Sequence, residues 1–230
     1  MSRVCENLAK IRAEMEENAR RFGHRPDEVS LVAVTKFVED AKVREALEAG
    51  VCDVGENRPQ EIVRKEALFQ GVRVHLIGQL QRNKVRAIAG KTALIHSVDR
   101  LSLLQELERI GIRDDVDFSC LIQMNLAQEA SKSGIAEEEL RPLLDAAEEL
   151  SRVRVFGLMC MAPETEDPES VRWVFRKARK IFEQTQKFGY NRSQMKILSM
   201  GMSNDFRIAL QEGSTMVRIG SAIFGKRVYQ

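Results

Sequence analysis

The stretch LVAVTKFVED (residues 31–40) decides how this chain folds. Five of its first seven residues are apolar, and Val32, Val34 and Phe37 are β-branched or aromatic, so it predicts a buried strand. Lys36 sits near the end of that strand, where a lysine needs a partner or a task. Beyond it, TKFVED carries no glycine-rich fingerprint. Such a fingerprint usually follows the first strand of an open, doubly wound sheet.

Outward from this run, the same pattern recurs. Strand-like segments cover 29–37, 52–57, 73–80, 93–99, 117–127, 153–163, 196–203 and 216–225. Amphipathic helical stretches such as EDAKVREALEAG and EEELRPLLDAAEEL lie between them. Gly50, Gly90, Gly189 and Gly213 stand where helices finish, as C-cap glycines do. Strands alternating with helices predict parallel βα units, and eight of them close a barrel. No linker or low-complexity segment interrupts the pattern. The expectation is one α/β domain over residues 1–230, a (β/α)8 TIM barrel over 29–225. In 1–23, Val4, Leu8, Ile11 and Met15 recur at helical spacing and predict an added amphipathic N-terminal helix.

Bulk properties narrow the function classes. The chain has 230 residues, 43% hydrophobic and 30% charged, with a formal net charge of +2. That balance gives no electrostatic reason to expect nucleic acid or a membrane surface as partner. No apolar run approaches the roughly 18 residues that span a bilayer. The charged N-terminus lacks the apolar core of a signal peptide, so a cytoplasmic location is expected. Cys5, Cys52, Cys120 and Cys160 lie far apart and predict reduced thiols, with no metal site. His24, His75 and His96 are equally scattered, and His75 reads as a satisfied core histidine.

Barrel active sites form at the C-terminal ends of the strands. Lys36 falls there on the first strand, and Glu56 and Asn57 on the second; Asn57 is also a natural helix N-cap. On the seventh, alternation predicts Ser199, Gly201 and Ser203 on one face. On the eighth, Arg218 and Gly220 share a face and Ser221 follows. Backbone N–H groups near Gly201, Gly220 and Ser221 suit a phosphate, which barrels commonly bind at these two strand ends. A desolvated lysine is a carbonyl nucleophile. Lysine, arginine and a phosphate grip together suggest pyridoxal 5′-phosphate.

The runs LVAVTK, VGENRPQE, HLIGQLQRNK, HSVDR, GLMCMAP, LSMGMSNDF and GSTMVRIGSAIFG extend in order from residue 31 to 225. On these runs the sequence resembles the pyridoxal phosphate homeostasis protein family, small proteins with a barrel like the N-terminal domain of alanine racemase. The resemblance implies that Lys36 carries pyridoxal 5′-phosphate as a Schiff base and that Asn57 lies near its ring. It places Ser199, Gly201, Ser203, Gly220 and Ser221 around the phosphate. It puts Arg218 on the pyridine nitrogen or the phosphate, with the nitrogen favoured by analogy with the racemases. It implies a non-catalytic protein, a monomer that buffers or delivers the cofactor through transient contact with apo-enzymes. Two other readings stand beside it: a racemase-like enzyme using the same cofactor, and a lysine-dependent aldolase without one. The racemases take a tyrosine base from an extra C-terminal domain. Here Tyr190, in a helix-to-strand loop, and Tyr229, in the tail, are not expected to serve as that base.

Overall fold

The computed structural model describes residues 2–22, 25–129 and 133–225. Eight strands form a closed barrel in the order β1 to β8, with β8 pairing back onto β1, and every pairing is parallel. The strands are β1 (Ser30–Val34), β2 (Asp53–Glu56), β3 (Arg73–Leu76), β4 (Leu94–Val98), β5 (Phe118–Met124), β6 (Val153–Cys160), β7 (Ser193–Ser199) and β8 (Met216–Ile219). The helices are α1 (Arg3–Arg21), α2 (Asp40–Glu48), α3 (Pro59–Arg64), α4 (Leu101–Asp114), α5 (Glu137–Glu148), α6 (Arg172–Gln186), α7 (Phe206–Gln211) and α8 (Ser221–Phe224).

Alternation along the strands divides the apolar side chains into two cores. The larger lies between sheet and helices, where Ala33, Val54, Leu76 and Ile95 meet Leu104, Leu144 and Phe175. The smaller, Val32, Leu94, Leu121, Met159 and Met216, fills part of the barrel interior. The remaining interior positions are where the polar chemistry sits.

The expected first helix is present. Val4, Leu8, Ile11 and Met15 are buried along one stripe, with Ala19 extending it. This stripe packs α1 against α2, α7 and α8, on either side of the seam where β8 meets β1. Polar contacts fix its register: Asn7 Nδ2 donates to Ile223 O at 2.9 Å, and Arg12 donates to the carbonyls of Ala49 and Gly50 at 2.8 Å each. Gly50, Gly90, Gly189 and Gly213 all have positive φ, as expected of residues that end helices.

The strand ends differ from their expected positions. β1 stops at Val34, so Lys36 lies in the turn beyond it. β7 stops at Ser199, so Gly201 and Ser203 have left the sheet, and the three do not share a strand face. The segment 216–225 divides into β8 and α8, because the backbone bends at Gly220 (φ −120°, ψ −75°) and its carbonyl accepts from Ile223 N and Phe224 N, both at 2.9 Å. Ser221 therefore opens a helix. Between β3 and β4 a 3₁₀ segment, Arg82–Ile88, stands where an α-helix was expected.

Candidate functional site

The turn carrying Lys36 is held from behind. Thr35 N donates to Gly55 O at 3.0 Å, extending the β1–β2 ladder by one bond, and Val38 N closes the turn on Thr35 O. Beneath it, Lys65 Nζ donates to Thr35 O at 2.8 Å and to Glu56 Oε1 at 2.6 Å, while Thr35 Oγ1 donates to the same carboxylate oxygen at 2.7 Å. Lys65 and Glu56 are fully buried, and a buried ion pair tolerates little displacement. Lys36 is half-buried at the mouth, and Phe37 beside it takes a left-handed conformation (φ 59°).

Arg218 occupies the barrel interior. Val32 of β1 pairs with Arg218 of β8, so the lysine turn and the arginine belong to adjoining strands. Nη1 donates to Ser199 Oγ at 2.6 Å and Nη2 to Cys160 O at 3.0 Å. Burial pushes the guanidinium below its ordinary pKa, with Cys160 and Asp205 acting in the opposite direction. Ser199 Oγ also lies 3.1 Å from His96 Nδ1. His96 Nε2 lies 2.9 Å from His75 Nδ1, and His75 Nε2 lies 2.9 Å from Asp53 Oδ1. Burial first, then the neighbouring His75 and Arg218, hold the His96 pKa well below the usual histidine value. At the other end, Arg73 grips Asp53 with two bonds of 2.6 and 2.5 Å. Burial raises the Asp53 pKa, but the hydrogen bonds from His75 and Arg73 outweigh it and leave the carboxyl below its ordinary value.

A second cluster forms where β7 and β8 run out. Ser203 Oγ accepts from Gly220 N and Ala222 N, both at 3.3 Å. Two backbone N–H groups thus converge on one oxygen at the start of α8. The walls around them are tight. A Cβ on Gly220 would lie 3.2 Å from Val34 Cβ, and one on Gly201 would lie 2.6 Å from Ala209 Cβ. Gly201 also has φ +94°, a conformation that costs other residues strain, and its carbonyl accepts from Arg218 N at 3.0 Å.

The structure therefore joins Ser203 to Gly220, Gly201 to Arg218, and Arg218 to Ser199. Ser199 is fully buried and engaged by Arg218 and His96 inside the barrel. Ser221 is exposed at the first position of α8. Asn57 is half-buried between β2 and α3, its backbone so close to Gly78 that a Cβ there would lie 2.2 Å from Asn57 O. Tyr190 hydrogen-bonds to Asp145 in the connection before β7, at the end of the barrel opposite Lys36. Tyr229 and His24 lie outside the described residues. His75 is a satisfied core histidine, as expected, with its two ring nitrogens bridging Asp53 and His96. Asp53 and His96 were not singled out from sequence. Their signal was a polar residue at an inward strand position, one per strand on β2, β3 and β4.

A family model described as alanine racemase, N-terminal domain, matches residues 7–228. The pyridoxal phosphate homeostasis protein of Escherichia coli K12 is 39% identical, covering 100% of this chain and 99% of its own length. That of Aquifex aeolicus is 37% identical over 98% of this chain and 99% of its own. PipY of Synechococcus elongatus, solved with PLP bound, superposes with a TM-score of 0.84 at 32% identity, covering 96% of this chain and 100% of PipY.

Proposed function

The chain belongs to the alanine racemase N-terminal domain family, among the pyridoxal phosphate homeostasis proteins, and on that footing we propose that it binds pyridoxal 5′-phosphate and buffers or delivers it without turning over a substrate. The observation that carries this reading is that three unlike groups belong to the adjoining strands β1 and β8 and the turns that follow them. Lys36 supplies an amine, Arg218 a buried guanidinium, and Gly220 with Ala222 a pair of converging N–H donors.

The residues fit the cofactor. Ser203 Oγ already accepts from both N–H groups, which marks the spot as one that favours oxygen acceptors. The missing Cβ of Gly220 keeps the wall beside Val34 open to close backbone approach. When bound, the cofactor supplies an aldehyde that condenses with amines and a ring that withdraws electrons. Lys36 is the amine that would take the aldehyde, presented by a turn that Lys65 and Glu56 anchor. Gly201, Ser203, Gly220 and Ser221 would hold the phosphate, and Asn57 would border the ring. Arg218, held by Ser199, would meet the pyridine nitrogen. A permanently cationic neighbour disfavours a proton on that nitrogen and so weakens the ring as an electron sink. This reading requires that no tyrosine act as a racemase-type base at the mouth, and Tyr190 is committed to Asp145 at the opposite end.

The test is covalent trapping. Protein loaded with pyridoxal 5′-phosphate and reduced with borohydride should carry the label on the peptide containing Lys36. Label mainly on Lys42 or Lys84 removes Lys36 from this role, and absence of a visible absorbance band on loading removes the cofactor altogether.

A further inference from the structure

A guanidinium buried in a barrel needs its hydrogen-bonding groups satisfied, and among the described residues those of Arg218 meet a serine hydroxyl and a backbone carbonyl, not a carboxylate. Asp205 is a negative charge near enough to favour the cation, whereas the Cys160 thiol, pushed up to about 12 by burial, is un-ionised. A carboxylate does lie at the end of the interior contacts. Asp53, His75, His96, Ser199 and Arg218 follow one another at 2.9, 2.9, 3.1 and 2.6 Å, each at most 5% exposed.

Donor and acceptor rules give this chain one direction. Arg218 only donates, so Ser199 Oγ accepts from it. Asp53, ionised, only accepts, so His75 Nε2 carries a proton. With both rings neutral, His75 Nδ1 is bare and accepts from His96 Nε2–H, and His96 Nδ1 is bare and accepts from the Ser199 hydroxyl. The chain then runs from cation to anion with every group satisfied, and each bond polarises the next. Ser199 turns its lone pairs to Arg218 because its proton is committed to His96.

We propose that Asp53, itself paired with Arg73, fixes the direction of the chain His75–His96–Ser199, and that these four are positioning residues that hold the Arg218 guanidinium in the orientation the cofactor would meet. This rests on the cofactor reading above, but its first test does not. Histidine side-chain ¹⁵N–¹H correlation on cofactor-free protein at neutral pH should show His75 and His96 neutral, each with its proton on Nε2. A proton on Nδ1 of either ring, or an imidazolium, overturns the chain. The second test is a double-mutant cycle read by the dissociation constant for pyridoxal 5′-phosphate, using Asp53→Asn and Ser199→Ala with folding checked by circular dichroism. Each single variant should weaken binding about threefold to tenfold. The double variant should match Ser199→Ala within about twofold, because Asp53 has no other route to the site. Multiplying effects, or unchanged affinity in Asp53→Asn, overturn the proposal. Wild-type protein that takes up no pyridoxal 5′-phosphate sinks the cofactor reading instead, and the tautomers in cofactor-free protein still decide the chain.

Discussion

Arg218 shows how much one side chain depends on its surroundings. It donates to Ser199 and Cys160 from a site with almost no access to water, so its bonds are charge-assisted and poorly replaced by a neutral amide. Such bonds contribute roughly 1.5–3 kcal/mol each. Arg218→Gln is therefore expected to weaken pyridoxal 5′-phosphate binding by about tenfold or more, at about 1.4 kcal/mol per decade. Titration of folded variant by absorbance checks this, and unchanged affinity counts against any contact between Arg218 and the cofactor. Lys65 makes the complementary point. Its ammonium fixes the Thr35 carbonyl in the turn that presents Lys36.

At the scale of elements, the end of the barrel away from the site is clipped together by helix glutamates. Glu148, in the last turn of α5, accepts from the backbone N–H groups of Asn191, Arg192 and Ser193 as the chain enters β7. Glu108 of α4 does the same for Ser151 and Arg152 before β6. Burial raises the Glu148 pKa, but the N–H groups of Arg192 and Asn191 more than offset it and hold the carboxyl below 4.5. A carboxyl lowered on folding stabilises the protein above its ordinary value and loses that contribution as pH falls through the folded value. Glu148→Gln should cost about 1–2 kcal/mol at pH 7, low in the charge-assisted range because the carboxylate is only half-buried. In urea titrations, the gap between variant and wild type should narrow from pH 7 to pH 3. A gap that stays constant removes the charge from this clip.

For the whole molecule, the placement of the tyrosine bears on catalysis. Reprotonation on a second face needs a second positioned acid, and such groups typically contribute about 10²–10⁴-fold in rate. Tyr190 bonds to Asp145 beyond the N-terminal ends of the strands, while Lys36 lies beyond the C-terminal ends. Cofactor-loaded protein incubated separately with L- and D-alanine should therefore show no substantial interconversion by chiral chromatography. Rapid interconversion that disappears in Lys36→Ala would make this protein an enzyme. No helix among the described residues is long and apolar enough to cross a membrane.

The sequence by itself determined the barrel and the first helix, and it put the candidate site residues toward the C-terminal ends of the strands. Alternating short strands and amphipathic helices are local patterns, and Lys36, Gly201, Ser203 and Gly220 lie just past the strand ends that such patterns reveal, with Arg218 one residue inside the end of β8. Local patterns act over a few turns of chain, and they blur at strand ends, where Gly220 turns a strand-like run into a helix start. Only the tertiary structure decided that Ser199 faces Arg218 and His96 instead of lying on one face with Gly201 and Ser203. Residues 96 and 199 are 103 positions apart and meet only because the strands close with one register. The same closure converts three scattered polar residues, Asp53, His75 and His96, into one buried chain, since which inward side chains face each other depends on strand pairing and stagger around the whole barrel.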